Sequence, residues 1–334
     1  MELVTEFLKS IGDEVDDAEE ESFLLFSQDI PSSNLGFVDS KATSVDLTIH
    51  DHDYTIHQSP TLLSSSRAGG TTGAGTAASL TQYSGKSPPL RRWISSRKSN
   101  PLWTHSLLSA SSTAVELGCG ISGLVSLTLA PQIQHYIATD QEYVHRLFRE
   151  NLENNPPRAQ SQSLPSSSRS TRAKKQRAPP AHLHHHHHHN ITFTSLDWEL
   201  DHPETLKDSI SVAGSESTPA AAAGNEKDPG FDLLVSCDCI YNEALVAPFV
   251  RTCAEISRLR PGYARPGTAA DERPPTVCVI AQQQRSPDVF EAWLQETLRY
   301  FRVWRVRDEV AGEKLKLGTG YLVHVLLLRC DVGA

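Results

Sequence analysis

The segment AVELGCGISGLVSLTLAPQIQHYIATD, residues 114–140, constrains the fold more than any other part of the chain. It contains a short apolar strand, a glycine-broken turn, the start of a helix and a second strand that ends in an acid. Gly118, Gly120 and Gly123 allow the backbone to turn sharply and to pass close to a ligand where a side chain would collide. Asp140 lies 22 residues after Gly118, where a carboxylate can accept both hydroxyls of a ribose. The segment therefore predicts an α/β unit with a nucleotide-type cofactor pocket.

The spacing Gly-x-Gly-x-x-Gly alone does not choose the cofactor, because nicotinamide and flavin sites use it too. Glu116 lies two residues before the first glycine, so its charge would fall near the pyrophosphate of a dinucleotide. S-adenosylmethionine carries a sulfonium, an ammonium and a ribose but no phosphate, and it suits both Glu116 and Asp140. We therefore expect S-adenosyl-L-methionine as cofactor. An NAD(P)-dependent oxidoreductase and a glycine turn without a ligand remain as alternatives.

Strand-like segments alternate with helical patterns in the rest of the chain. Apolar residues recur at helical spacing over 144–152, 245–256 and 290–298. This alternation predicts a parallel sheet covered on both faces. The last two strands have no helical pattern between them, over 307–320, so we expect them to pair as an antiparallel hairpin. Such an ending is typical of the Rossmann-like, seven-strand class I methyltransferase fold. The predicted strands are 114–117, 136–139, 191–194, 232–237, 277–281, 301–306 and 321–328.

Changes in composition divide the chain into three parts. Residues 1–63 form an N-terminal extension with a small β-hairpin at 46–59, where polar and apolar residues alternate. Residues 64–111 combine a flexible segment with a helix that precedes the glycine motif. Residues 112–331 form the methyltransferase-like domain. Stretches rich in Ser, Gly, Pro, Ala or charge are expected to be insertions into that domain, at 156–190, 212–229 and 260–275.

Charge and hydropathy favour a soluble protein inside the cell. The formal net charge is -9, and no apolar run approaches the roughly 18 residues that a membrane span requires. The first 17 residues are too acidic for a signal or transit peptide. We expect a cytoplasmic protein, also present in the nucleus, with no membrane partner.

Neither the cysteines nor the histidines predict a functional metal site. No C-x-x-C pair occurs among the six cysteines, and the pair Cys237 and Cys239 has no second cluster. The run His184–His189 lies in a low-complexity insertion without fixed geometry. A basic cluster at 169–177 precedes it and could contact RNA or an acidic partner. A solvated loop is the favoured interpretation, because no aromatic residues interleave with the basic ones.

A second informative site follows the fourth predicted strand. The segment FDLLVSCDCIYNE, residues 231–243, is apolar up to Cys237 and then presents Asp238 and Tyr241. Ligands of open parallel sheets bind beyond the carboxyl ends of the strands, so both residues are expected beside the reactive end of the cofactor. The alternative is that Asp238 caps the next helix and Tyr241 packs on its first turn.

Together these motifs resemble a known family. The segments ELGCGISGL at 116–124, Asp140, LDW at 196–198 and DCIY at 238–241 are similar to the class I protein lysine methyltransferases with an Asp-x-x-Tyr motif, the methyltransferase-21-like group. Within that group the chain looks most like the fungal ribosomal lysine N-methyltransferases. The resemblance covers most of 112–155, 191–201, 231–260 and 277–329. It implies a protein-lysine N-methyltransferase whose substrate is a protein of the large ribosomal subunit.

The resemblance also implies roles for individual residues. Backbone around the methionine moiety would come from Gly118, Cys119 and Gly120, beside Glu116. Asp140 would hold the ribose hydroxyls, Trp198 would lie against the adenine, and Cys237 would line the pocket through its backbone. Asp238 and Tyr241 would form the floor of a lysine channel, where Asp238 orients the amine and apolar walls favour its neutral form.

One segment departs from the family pattern. Relatives usually carry an aromatic stretch, Gly-x-Val-Leu-Trp-Lys or similar, shortly before the glycine motif, and its tryptophan contacts the cofactor. The corresponding stretch here has no tryptophan before Trp93, which the pattern PLRRWISS assigns to a helix. A catalytically weak or inactive binding module of the same fold is therefore an alternative function.

Overall fold

The computed structural model describes residues 2–28, 43–49, 52–58, 89–157, 188–213, 228–264 and 273–330. In chain order the first elements are α1 (Glu2–Ile11), β1 (Glu14–Val15), α2 (Ala18–Phe26), β2 (Ser44–Ile49), β3 (His52–His57), α3 (Pro89–Ile94) and α4 (Pro101–Thr104). The central elements are β4 (Thr113–Leu117), α5 (Leu124–Leu129), β5 (His135–Asp140), α6 (His145–Asn154), β6 (Ile191–Ser195), α7 (Asp208–Ala213) and β7 (Leu233–Cys237). The last elements are α8 (Val246–Arg258), β8 (Val277–Gln283), α9 (Pro287–Tyr300), β9 (Phe301–Arg305), α10 (Asp308–Ala311) and β10 (Tyr321–Leu328).

One large sheet organises the domain, in the order β1-β9-β10-β8-β7-β4-β5-β6. Strands β4, β5, β6, β7 and β8 pair in parallel, and β10 runs antiparallel to both β8 and β9. All seven predicted strands are present, and the terminal hairpin is confirmed. Strands β4, β7 and β8 are buried along their whole length, as expected for parallel strands covered on both faces.

Two features of this sheet differ from the sequence expectation. An eighth strand, β1, pairs antiparallel with β9 at the edge, where Glu14 opposes Trp304 and Val15 opposes Val303. A strand of two residues is too short for an alternating pattern to reveal it. The connection 307–320 was expected to lack a helix, but it contains the short helix α10, which is less than two turns long and so shows no helical periodicity.

Helix α2 is anchored to the sheet by a buried carboxylate. Glu21 accepts a hydrogen bond from Arg305 Nη1 at 2.6 Å, and its other oxygen lies 3.4 Å from Nε2 of the fully buried His324. Burial alone would raise the pKa of Glu21, but the hydrogen bond and charge of His324, with Arg305, outweigh burial and lower it. Gln284 adds a hydrogen bond to the carbonyl of Leu25 at 2.6 Å. The N-terminal segment is thereby fixed next to the loop that follows β8.

The predicted N-terminal hairpin is confirmed as β2 and β3, paired antiparallel from Ser44 opposite His57 to Ile49 opposite His52. Asn151 of α6 and Asn155, the residue that follows the last residue of this helix, bind strand β3 of the hairpin. Asn155 exchanges two hydrogen bonds with the backbone of Thr55, and Asn151 exchanges two with that of His57. Asn151 also donates to the carbonyl of Ile121 in the glycine turn at 2.7 Å. Hairpin, helix and turn are therefore linked by one buried amide.

The ends of two predicted insertions belong to the packed domain. Asp228, at the end of the predicted 212–229 insertion, forms an ion pair with Arg260 at 2.6 Å. Tyr263, within 260–275, is buried and forms a bridge to Arg329. Residues 158–187, 214–227 and 265–272 of the predicted insertions lie outside the described residues, and with them the basic cluster at 169–177 and the histidines at 184–187. The segment 64–88 lies outside them as well. In the part of the chain that is described, no helix is long and apolar enough to cross a bilayer.

Candidate functional site

The glycine turn connects the end of β4 to α5 and requires left-handed backbone. Gly118 has a φ of +68° and Gly120 a φ of +61°, a region that disfavours side chains. A Cβ on Gly118 would lie 2.3 Å from Sγ of Cys239 and 3.6 Å from the ring of Trp198. Glycine is thus required twice at position 118, by its backbone angle and by its neighbours. The contacts bring together the segments that follow the carboxyl ends of β4, β6 and β7. This group of strand ends, with that of β5, is called the corner.

Asp140 ends β5 directly beside this turn. Its Oδ2 accepts the backbone N–H of Gly120 at 2.8 Å, and its Oδ1 accepts that of Gln141 at 2.7 Å. Burial raises the pKa of Asp140 to about 6, although both hydrogen bonds lower it. The side chain is half-buried, so each oxygen can still accept a hydroxyl from a ligand. The predicted ribose acceptor therefore also ties β5 to the glycine turn.

Glu116 is buried in β4, with an exposed fraction of 2%. Its Oε2 accepts a hydrogen bond at 2.7 Å from the hydroxyl of Tyr136 in β5. Burial, and then the charge of Glu116, raise the pKa of this phenol well above its usual value, so Tyr136 stays a donor. The carboxylate also acts electrostatically on the thiol of Cys119 in the turn. The carboxyl group of Glu116 thus lies close to the turn.

Trp198 follows β6 and lies against the same turn. Its ring packs edge-on against Phe249 at 5.1 Å, and its carbonyl accepts Nη2 of Arg251 at 3.1 Å. The indole Nε1 is buried and has no hydrogen-bond partner among the residues that the structure describes. A buried donor without an acceptor is costly, and a ligand that supplied one would remove this cost. The position is consistent with the predicted contact to the cofactor.

Asp238, directly after β7, has an unusual backbone and a buried carboxylate. Its φ of +58° is left-handed, and its exposed fraction is 2%. Oδ2 accepts Nη2 of Arg285 at 2.5 Å, and Oδ1 accepts the backbone N–H of Gln283 at 3.2 Å. Its own N–H donates to the carbonyl of Ala281 at 2.7 Å. Burial raises the pKa of Asp238 to about 6, although Arg285 and the N–H of Gln283 lower it.

Asp238 does not cap the next helix, which was the structural alternative for this residue. Asn242 does so instead, since its side chain accepts the backbone N–H of Ala244 at 3.1 Å at the start of the turn Glu243–Leu245. Tyr241 is half-buried in the same short loop, three residues after Asp238. A strained, buried acid that is not needed as a cap is a functional-site candidate.

Arg285 and Gln283, which together hold Asp238, were not among the residues predicted from the sequence. Nε and Nη2 of Arg285 also donate to Oε1 of Gln283, at 3.1 and 2.9 Å, so the guanidinium has a fixed orientation. Both residues lie at the carboxyl end of β8, which is the neighbour of β7 in the sheet. A signal was available, because the rule that places ligands beyond the carboxyl ends of parallel strands applies to β8 as well.

The thiols around the site are neutral. Burial raises the pKa of Cys119 and Cys239 well above the usual value for cysteine, and nearby carboxylates add to the effect. Cys237 is buried at the end of β7, next to Asp238. No group of residues suited to a metal ion occurs in the described ranges. The structure thus brings together eight of the residues that the sequence proposed for the site, namely Glu116, Gly118, Cys119, Gly120, Asp140, Trp198, Cys237 and Asp238. Tyr241 follows Asp238 by three residues in the same short loop.

Trp93 does not belong to this group. It lies in α3, as the sequence predicted, and its indole nitrogen donates to the carbonyl of Val310 in α10 at 2.7 Å. This contact fixes it beside the connection between β9 and β10, which are separated from β7 by β8 in the sheet order. Residues 70–88 of the departing segment are outside the described ranges.

Comparisons with known proteins confirm the resemblance drawn from the motifs. The chain is 27% identical over 263 residues to ribosomal lysine N-methyltransferase 5 of Zygosaccharomyces rouxii, a match that covers 75% of this chain and 72% of the relative. Relatives from Lachancea thermotolerans and Kluyveromyces lactis with the same name are 26% identical, and the chain spans about half of their length. No protein-family model matches the chain.

A further relative has a different name. The diaminohydroxyphosphoribosylamino-pyrimidine deaminase of Schizosaccharomyces pombe is 27% identical over 313 residues, which is 92% of this chain and 57% of the relative. Among solved structures, the chain is similar to the N-methyltransferase NodS of Bradyrhizobium japonicum, with a TM-score of 0.33 and 10% identity over 66% of this chain and 80% of that one.

Proposed function

We propose that the chain is an S-adenosyl-L-methionine-dependent protein-lysine N-methyltransferase that acts on a protein of the large ribosomal subunit. One observation supports this most directly. The carboxyl ends of adjacent strands bring three acids, Glu116, Asp140 and Asp238, to the corner occupied by a strained glycine turn. The similarity to relatives named for this activity supports the choice of reaction.

The residues of the corner fit this cofactor. Glu116 and Asp140 offer negative charge and hydroxyl acceptors, and Gly118 leaves room where a side chain would not fit. The buried indole Nε1–H of Trp198 could donate a hydrogen bond to an acceptor on the cofactor. When bound, S-adenosylmethionine would supply an activated methyl group on a sulfonium. A cationic donor without phosphate meets these acids favourably.

The same corner argues against a dinucleotide. Residues 114–140 contain no lysine or arginine, so the segment that would cradle a pyrophosphate contributes negative charge and no positive charge. Asp140 also already accepts the N–H of Gly120. An anionic ligand would therefore face repulsion from Glu116 and Asp140, and the NAD(P)-dependent alternative is disfavoured.

Asp238 and Tyr241 would act on the substrate lysine. Methyl transfer requires a neutral amine, whereas free lysine has a pKa of about 10.4. The carboxylate of Asp238 is held by Arg285 and Gln283 but can accept a further hydrogen bond on each oxygen. It can therefore orient the amine nitrogen, while burial next to Cys237 and Cys239 keeps water out.

A deaminase activity, suggested by the name of one relative, is not supported by this site. Zinc deaminases hold their metal with His/Cys/Cys or three cysteines in a pattern that ends in C-x-x-C. The sequence contains no C-x-x-C, and the described residues form no metal-binding group. The match covers 57% of that relative, so its name can derive from a part that lies outside the match.

The proposal is tested by labelled methyl transfer. The protein would be incubated with radiolabelled S-adenosylmethionine and proteins extracted from fungal ribosomes that lack lysine methylation. We expect a labelled large-subunit protein whose modification maps to a lysine. Asp238→Ala should abolish transfer but leave binding of S-adenosylhomocysteine largely intact, and Asp140→Ala should weaken that binding. Lys9→Ala, which removes an exposed side chain paired with Glu6, is the control.

Three results would contradict the proposal in different ways. Binding of NAD(P)H without binding of S-adenosylhomocysteine would favour an oxidoreductase. Binding of S-adenosylhomocysteine and of a ribosomal protein without transfer would favour an inactive binding module. Near wild-type activity of Asp238→Ala would show that the lysine site has been assigned to the wrong residues.

A further inference from the structure

The carboxylate of Asp238 poses an electrostatic problem for lysine methylation. An acid within about 4–6 Å of an amine stabilises the ammonium form and raises its pKa. Only the neutral amine has the lone pair that attacks a methyl group. A buried acid at the floor of the lysine channel would therefore orient the substrate but also hold it in the unreactive form.

Arg285 provides the opposite charge at the same place. Its Nη2 lies 2.5 Å from Oδ2 of Asp238, whose side chain has an exposed fraction of 2%, while that of Arg285 has 30%. The two further hydrogen bonds from the guanidinium to Oε1 of Gln283 hold it in place beside the acid. Arginine stays protonated at any pH at which the enzyme could work, so the pair is neutral overall whenever Asp238 is ionised.

The other titratable groups at this corner do not replace Arg285. Burial raises the pKa of Cys239, and this thiol is uncharged. Tyr241 belongs to the same loop as Cys239, and a phenol cannot carry a positive charge. Glu116 in β4 and Asp140 in β5 are negative when ionised. Among the described residues that shift the pKa of Asp238, Arg285 is the cation.

We infer that Arg285 is a positioning residue of the lysine site, which makes the floor a net-neutral ion pair that orients the substrate amine without retaining it as an ammonium ion. This inference rests on the proposed function. The substrate ammonium gives its proton to solvent water as it enters, and the neutral nitrogen donates a hydrogen bond to Asp238. Its lone pair would form the N–C bond to the methyl group as the C–S bond of the sulfonium donor breaks and that electron pair stays on sulfur. The methylated nitrogen is then cationic and releases its proton to water as the product leaves. Arg285 touches Asp238 and not the reacting atoms.

The inference predicts how kcat and KM separate in Arg285→Gln. Without the guanidinium, the substrate ammonium itself becomes the counter-ion of Asp238, so binding is retained and the neutral fraction falls. A pKa shift of one unit changes that fraction about tenfold. We expect the transfer rate of Arg285→Gln at neutral pH to be about tenfold lower than that of the wild type, with an unchanged or lower KM. The pH at which the rate rises should be about one unit higher in the variant, so the difference in rate from the wild type should shrink towards pH 10.

The experiment measures single-turnover transfer from labelled S-adenosylmethionine to ribosomal proteins between pH 6.5 and 10. It compares wild type, Arg285→Gln, Arg285→Lys and Arg299→Gln. Arg285→Lys keeps the charge and should retain most of the rate and the wild-type profile. Arg299 lies exposed on α9, paired with Glu296, and its substitution should change nothing. Binding of S-adenosylhomocysteine should be equal in all four proteins.

A thermal-unfolding cycle adds a readout that is independent of activity. Arg285→Gln should lower the melting temperature in the wild-type background and much less in an Asp238→Asn background, where the acid is already neutral. If the wild type is active and the dependence of rate on pH is the same in Arg285→Gln, the inference is overturned and the proposed function is not. An equal loss of rate at every pH with a raised KM, the mark of a merely structural role, has the same consequence. A wild type that transfers no methyl group overturns the proposed function and this inference with it.

Discussion

The contact between Gly118 and Cys239 makes a strong prediction about the glycine turn. Alanine at position 118 must adopt a φ of +68°, which costs about 1–2 kcal/mol for a residue with a Cβ. Its Cβ would also lie 2.3 Å from Sγ of Cys239, an overlap that the buried loop after β7 must relieve by moving. Overpacking of this kind costs about 1–3 kcal/mol. Gly118→Ala should therefore lower the free energy of unfolding by about 2–5 kcal/mol.

The two contributions can be separated by removing the sulfur. In Gly118→Ala/Cys239→Ala the nearest remaining atoms to the new Cβ are the ring of Trp198 at 3.6 Å and Cβ of residue 239 at 3.7 Å, which are ordinary contacts. Only the backbone penalty remains. Cys239→Ala alone should cost about 1 kcal/mol, the order of one buried methyl group. The double variant should therefore be more stable than the sum of the single changes predicts, by about 1–3 kcal/mol.

Denaturant unfolding of the four proteins, with comparable m-values, measures this coupling free energy. Binding of S-adenosylhomocysteine by Gly118→Ala should be weakened as well, because the shifted turn carries the N–H of Gly120 that holds Asp140. Additivity within about 0.5 kcal/mol would refute the reasoning, since it would mean that Cys239 does not limit the space at position 118.

Three further predictions concern the supports of the site. Burial raises the pKa of Asp140 to about 6, and the ionised carboxylate is the form that accepts the ribose hydroxyls. The affinity for S-adenosylhomocysteine, measured by calorimetry, should therefore be constant above pH 7 and fall below about pH 6. Asp140→Asn should show no such fall. The pKa of Glu21 is lowered in the folded protein, so its ionised form stabilises the fold above the unfolded pKa, and this stabilisation is lost as the pH falls through the folded pKa. Glu21→Gln should therefore lower the free energy of unfolding, measured with denaturant, by about 1–3 kcal/mol at pH 7 and by less at pH 4. A difference that does not depend on pH would contradict the role given to Arg305. Asn151→Ala removes the amide that joins hairpin, α6 and glycine turn and should cost about 2–3 kcal/mol, and the same change at the exposed Asn154 is the control.

Much of this fold could be predicted because its signals are local and repeated. Parallel strands such as β4, β7 and β8 are continuous apolar runs, and each has a turn or helix signal on both sides. The glycine turn and the acid at the end of β5 have fixed spacing, and both lie where they were expected. The hairpin of β9 and β10 followed from the missing crossover helix.

The parts that could not be predicted depend on contacts between distant segments. Arg285 is one of many arginines in the sequence, and its pairing with Asp238, 47 positions away, exists only once β7 and β8 are neighbours. Glu21 and His324 are 303 positions apart, and neither position suggests a buried charge. Strand β1 has two residues and is defined by its partner β9 alone. Such features carry no periodicity and no motif, so propensity cannot reveal them.

The short pairing of Glu14 and Val15 with β9 has a practical consequence for handling the protein. Strand β9 would otherwise end the sheet with open N–H and C=O groups, a template for addition of a strand from another molecule. A shortened version that begins at the hairpin would keep every catalytic candidate and still leave this border uncovered. Such a fragment should oligomerise or precipitate at concentrations where the longer protein stays monodisperse, so the first 26 residues ought to be retained in any expression design.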